Sequence, residues 1–173
     1  MDASEYLAFL PLLIYGIALA DLFSQWKRFF NPKRLFLPYL LFTVILTETA
    51  LYNVFIYAEL IDELAGLSYF SYLLYLIPPF LFMLTANIFT PDKDSETEEY
   101  FMRQMPVFFS LLALFAASHF LYDFDENVFT LLGRLVAIGF ILVTGITRKI
   151  WLFYVIVVLW MFLLFVKGGM IST

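Results

Sequence analysis

The chain has 173 residues, 63% of them hydrophobic and 14% charged, with a net charge of −5. Soluble domains are about 45–50% apolar and about 25% charged, so a soluble fold of this length could not cover its apolar surface, and an acidic chain lacks the basic face that nucleic acid requires. Cysteine is absent and His119 is the single histidine, which removes disulfides, thiolate sites, two-histidine metal motifs and bis-histidine haem ligation.

These figures predict an all-α integral membrane protein, one transmembrane domain over residues 1–173. A helix needs ~20 mostly apolar residues to cross the hydrocarbon core. Six segments meet that length, giving a six-transmembrane-helix bundle. The first, 3–23, begins within MDASEYLAFL, which lacks the basic region and cleavage site of a signal peptide and reads as the start of a retained span. Asp21 closes it. The loop SQWKRFFNPKR then mixes aromatics with cations, and Trp26, Lys27, Arg28, Lys33 and Arg34 are placed to meet lipid head groups. Asp21 also lies within reach of Lys27 or Arg28.

The second segment, 35–57, holds a carboxylate, Glu48, in the middle of LLFTVILTETALYNVFIY, with Asn53 further on. The third, 69–90, carries Pro78-Pro79 at its midpoint. Two successive residues without an N–H leave the carbonyls of Leu74 and Tyr75 without helical donors. The span is therefore expected to be kinked or broken there, and a break at mid-depth is one way transporters build a site. Asn87 lies near its end. In PDKDSETEEYFMRQ, Ser95 and Glu98 have the spacing of a capping box, predicting a short helix that runs toward Pro106. The fourth span, 105–122, contains His119. DFDEN follows, with oxygen ligands but without the length and glycine of a calcium loop. The fifth, 129–146, contains Arg134, and the sixth is 150–167.

Lysine and arginine fall in the first loop, in the third (Lys93, Arg103) and in the fifth (Arg148, Lys149), and are missing from the second and fourth. The positive-inside rule then predicts both termini outside, N-out/C-out, with Lys167 the exception. Small size and this pattern fit a bacterial inner membrane. At ~1.5 Å per residue, Glu48 sits ~13 Å, Asn53 ~6 Å, His119 ~5 Å and Arg134 ~8 Å below the outer edge. These four form one candidate polar layer, and Asp21 with Asn87 a thinner inner one.

Intramembrane charges turn inward and find partners. If Glu48 pairs with Arg134, both stay ionised and the pair is structural. If not, burial protonates the carboxyl, as proton-coupled transport requires. The plainer readings are an interhelical clamp for Glu48, a backbone-bonded histidine for His119, a snorkelling Arg134 and a structural proline kink. Close helix packing is expected at Gly16, Ala20, Ala113, Ala116, Ala117, Gly133 and Ala137. No catalytic motif, cofactor fingerprint or metal site is visible. The reading that follows is a non-enzymatic membrane subunit or scaffold acting through helix contacts, as a homo-oligomer or with a partner membrane protein in the lipid bilayer. The alternative is a small transporter or channel for a cation, proton or small solute. A third reading, an enzyme on a membrane substrate, needs Glu48 and His119 within reach of one another.

Overall fold

Six helices follow from six apolar stretches broken by charge and proline. The computed structural model describes residues 3–31, 35–59, 66–91, 96–121 and 128–171, with backbone alone at 3–6, 58–59 and 163–171. Lys33, Arg34, Lys93, Ser95 of the predicted capping box, and the acidic stretches 60–65 and 122–127 lie outside the described residues. The elements are α1 (Ala3–Ser24), a 3-10 turn (Trp26–Arg28), α2 (Leu37–Glu59), α3 (Tyr69–Phe89), α4 (Thr97–Ser118), a second 3-10 turn (His119–Leu121), α5 (Val128–Thr147) and α6 (Ile150–Ile171). No strand occurs among the described residues. Five helices, α1 to α5, are long and apolar enough to cross a membrane.

Two boundaries differ from expectation for local reasons. α2 starts at Leu37 rather than 35, because Pro38 fits only a helix's first turn. α4 starts at Thr97 rather than 105, so the predicted short helix and the fourth span are one helix with Pro106 inside it. Glu98 and Glu99 lie in its first turn, where carboxylates complement the positive end of the helix dipole.

Each helix packs on the next in a closed circuit. α2 packs on α1, α1 on α3, α3 on α4, α4 on α5, α5 on α6 and α6 back on α2, while α2 also touches α4 across the centre. Aromatic rings fill the interior. Phe42 is fully buried and lies within 6.1 Å, centroid to centroid, of Phe89, Phe108, Phe109 and Phe153. Tyr39 stacks on Phe89 at 4.5 Å and 13°. Towards the other end, Tyr15 contacts Tyr57 and Phe82, and Phe82 contacts Phe115.

The end of the circuit bearing Lys27, Arg28, Arg103, Arg148 and Lys149 is called here the basic end. The small-residue expectations divide. Ala113 is buried, but Gly16, Ala20, Gly133 and Ala137 are exposed. The tight approach is at Gly145 instead, where a Cβ would stand 2.6 Å from Phe109 Cβ and 3.2 Å from the Met105 carbonyl oxygen.

Candidate functional site

A proline inside a helix leaves the carbonyl four residues earlier without its N–H donor. Pro11 in α1 does this to Leu7, and Pro78 and Pro79 in α3 do it to Leu74 and Tyr75. In hydrocarbon such an oxygen needs another donor. The Tyr72 hydroxyl of α3 donates to the Leu7 carbonyl at 2.8 Å. The Tyr57 hydroxyl of α2 donates to the Tyr75 carbonyl. Pro78 and Pro79 are themselves buried, Leu74 is half-buried, and α3 runs through the pair as one helix. Two proline-freed oxygens are thus met by phenols of neighbouring helices.

The end of α3 is closed in the same manner. Its last carbonyls have no helical partner. The Ala86 carbonyl accepts from Thr90 Oγ1 at 2.8 Å and the Asn87 carbonyl from the Thr90 N–H at 3.1 Å. The Ile88 carbonyl accepts from the Tyr100 hydroxyl of α4 at 2.8 Å. Beyond it, Arg28 Nη2 donates to the Pro91 carbonyl at 3.1 Å, and Arg28 Nε to Gln25 Oε1 at 2.8 Å. Gln25 in turn donates to Ser24 Oγ, which donates to the Asp21 carbonyl.

Arg28 is therefore buried, 5% exposed, and ties the turn after α1 to the end of α3. Its expected head-group neighbours Trp26 and Lys27 are exposed. Of the pair expected to form an inner layer, Asp21 is half-buried and Asn87 exposed. The Gln25–Arg28 spacing, three residues apart, was the signal in the sequence that could have marked this tie.

Among the four residues expected in one outer layer, two come together. His119 Nε2 lies 3.4 Å from Asn53 Oδ1, and Nδ1 lies 2.9 Å from the Phe115 carbonyl oxygen. Asn53, buried on α2, donates Nδ2–H to the Thr49 carbonyl at 2.8 Å. The Phe115 ring meets the imidazole edge to face at 4.8 Å. Arg134 on α5 is half-buried, and its guanidinium carbon lies 5.9 Å from the centroid of Phe120, the residue after His119. Glu48 is half-buried on α2. Five residues turn a helix by about 140° beyond a full revolution, so Glu48 and Asn53 leave α2 in different directions.

Sequence reasoning missed the threonines. Thr43, Thr47, Thr85 and Thr144 are buried, and each donates its hydroxyl to the carbonyl four residues earlier at 2.7–2.8 Å. This back-bonding lets a hydroxyl face an apolar interior. Two buried hydroxyls toward the basic end, Tyr39 Oη and Thr97 Oγ1, have no hydrogen-bond partner among the described residues. No family model matches the chain, and no curated protein or solved structure does either.

Proposed function

We propose that the chain is a six-pass, non-enzymatic membrane protein that acts through helix contacts, with a second copy of itself or with a partner membrane protein. In this reading α6 is the sixth span and both termini face out. The membrane is the bacterial inner membrane. The collection of cations at one end of the circuit supports the orientation.

The observation that carries the reading is the Tyr57 hydroxyl on the Tyr75 carbonyl. A transporter would use the proline-freed oxygens of α3 as ligands in an open cavity. Here the one freed by Pro79 is occupied by a phenol from within the protein. The buried threonines likewise spend their hydroxyls on their own helices, so they offer a solute little to replace its hydration shell. An enzyme would need Glu48 beside His119, but the residue of α2 that meets the ring is Asn53, an amide without a proton to transfer. Against these closed interior features stands α5, with Gly133 and Ala137 both exposed, one turn apart, and with open space where a Cβ on Gly133 would stand. Small residues at that spacing let two helices approach closely.

The absence of cysteine makes the test direct. Single-cysteine variants Gly133→Cys and Val136→Cys, oxidised in native membranes, are expected to form a disulfide-linked dimer or a link to a partner from position 133 and not from 136. Equal cross-linking from both, or from neither, argues against the reading.

The transport alternative has its own support in the Tyr39 and Thr97 hydroxyls toward the basic end, which have no hydrogen-bond partner among the described residues, and in half-buried Glu48 between that end and Asn53. Flux into proteoliposomes, abolished in Glu48→Gln, would favour it. Absence of flux in the parent protein would remove it.

A further inference from the structure

We infer that the turn between α5 and α6 binds an anionic phospholipid, with Arg148 and Lys149 on its phosphate and an exposed stripe of α6 along its acyl chain. The inference rests on α5 and α6 both crossing the bilayer, as in the reading above, and is indifferent to what covers Gly133.

Charge is divided unevenly along the chain. All 15 aspartates and glutamates fall at or before Glu126, whereas the residues after it include Arg134, Arg148, Lys149 and Lys167 and no acid. The positive-inside rule accounts for cations at the basic end but says nothing of the carboxylates near them. The other basic stretches carry both signs. Asp21 precedes Lys27 and Arg28, and Glu96, Glu98 and Glu99 precede Arg103. Two of those cations are also engaged within the protein: Arg28 is buried on the Pro91 carbonyl, and Arg103 lies over the Tyr100 ring at 5.7 Å. Arg148 and Lys149 differ on each count. They are adjacent and exposed, they make no ion pair among the described residues, and neither helix that they join contains a carboxylate. Such a pair at a membrane edge attracts anionic head groups.

The backbone holds the pair at the surface. Arg148, with φ 53°, closes α5, and the Lys149 carbonyl accepts from the Leu152 N–H at 3.0 Å where α6 begins. A guanidinium matches two phosphate oxygens at once, and the ammonium adds a point charge. Leu152 and Phe153 are buried and set the rotation of α6. The opposite face presents Trp151, Tyr154 and Val158, all exposed, at the i, i+3, i+7 spacing of one stripe. Tryptophan and tyrosine favour the head-group level, where the indole N–H and the phenol find polar partners. On α5, Val143 and Ile146 are exposed near the same turn. Cations, interfacial aromatics and an apolar track thus follow one another in the order of phosphate, glycerol and acyl chain.

The chain has three tryptophans, so Trp26→Phe with Trp160→Phe leaves Trp151 as the reporter in the full-length protein. It is reconstituted at low ionic strength in phosphatidylcholine vesicles and titrated with phosphatidylglycerol or phosphatidylcholine brominated on the acyl chains. Brominated phosphatidylglycerol is expected to quench Trp151 at the lower mole fraction. Arg148→Asn, a residue that tolerates the left-handed conformation, and Lys149→Gln should each reduce that preference about fivefold, and added salt should weaken it. Arg103→Gln, which removes a cation at the same end, should leave it unchanged. An equal loss in Arg103→Gln would mean general surface charge and would overturn the inference. Displacement of the lipid by soluble glycerol phosphate would make the occupant a free phosphate, and quenching by neither lipid would put protein over the turn; either overturns it. Equal quenching by both lipids overturns it while leaving the spans in place. The crossing of α6 is read separately from Trp160, ~15 Å into that helix, which mid-chain bromines should quench when it is the one tryptophan kept.

Discussion

The first four helices and the last two are held by different forces. Among α1 to α4, side-chain donors cross from helix to helix: Tyr57 to Tyr75, Tyr72 to Leu7, Tyr100 to Ile88, and Arg28 to Pro91. In α5 the hydroxyls of Thr144 and Thr147 turn back to Phe140 and Val143 of the same helix. α5 meets α4 in the close approach of Gly145 to Phe109 and places Arg134 over the Phe120 ring just past the end of α4, and α6 reaches the interior with buried Phe153. Over an apolar stretch of 18 residues, α5 has 11% of its residues buried, against 44% for α2. Lipid tails are as apolar as leucine, so burial of apolar surface does little to drive helices together in a bilayer. Polar ties and close packing are what remain, and among the described residues the first is prominent in α1 to α4 and the second at Gly145 of α5.

The largest expected effect ignores the boundary. Phe42 touches rings of α3, α4 and α6. Phe42→Ala should cost about 3–5 kcal/mol, as for large buried aromatics, and should loosen both regions together in a denaturation followed by site-specific labels. If α5 and α6 loosen while α1 to α4 hold, the two regions do not share a core.

Gly145→Ala should separate them. Its Cβ would stand 2.6 Å from Phe109 Cβ, on a helix face with the Met105 carbonyl at 3.2 Å. Overpacking of this kind costs about 1–3 kcal/mol. Hydrogen exchange should rise along α5 and stay unchanged at Tyr75–Pro79. Tyr57→Phe is the reverse experiment. It removes the phenol that donates to the Tyr75 carbonyl, at about 1–2 kcal/mol. Exchange should rise in α3 near residues 75–80 and stay unchanged in α5. Equal spreading of either effect to both regions would mean that the division by force is wrong.

Much of the fold was legible because its signals are covalent. Runs of apolar residues, charged breaks and prolines placed six helices with small errors at Leu37 and Thr97. That Tyr75 would need a foreign donor also followed from Pro79 alone. Which group would supply it did not, since Tyr57 lies on another helix and local sequence holds no record of helix neighbours. The same limit explains Arg28. Beside Trp26 and Lys27 it reads as a head-group contact, and only the nearness of Pro91 turns it inward. Asn53 and His119 were placed in one layer by depth, but depth carries no azimuth, and azimuth separates Asn53 from Glu48. The small residues show a related limit. Gly16 and Gly133 have the right chemistry for close packing, but the close approach within the chain lies at Gly145.

The smallest expected effect concerns the hinge between the contrasted regions' last two members. α5 ends at Thr147 and α6 begins at Ile150, with Arg148 at φ 53° between them. The Arg148 N–H bonds to the Thr144 carbonyl at 3.0 Å, closing the helix with a left-handed residue where glycine is usual. A side chain in that conformation costs roughly 1–2 kcal/mol. Arg148→Gly alone would mislead, because it also removes a cation from the negative end of α5. Arg148→Ala removes the same cation and keeps the Cβ. The difference between the two variants isolates the strain, less the extra chain entropy that glycine brings to the unfolded state. Arg148→Gly should therefore melt above Arg148→Ala by an amount equivalent to about 0.5–1 kcal/mol. Equal midpoints would mean that the α5–α6 turn relaxes out of the left-handed region at no cost. The C-terminal pair would then be joined even more loosely than the contact at Gly145 implies.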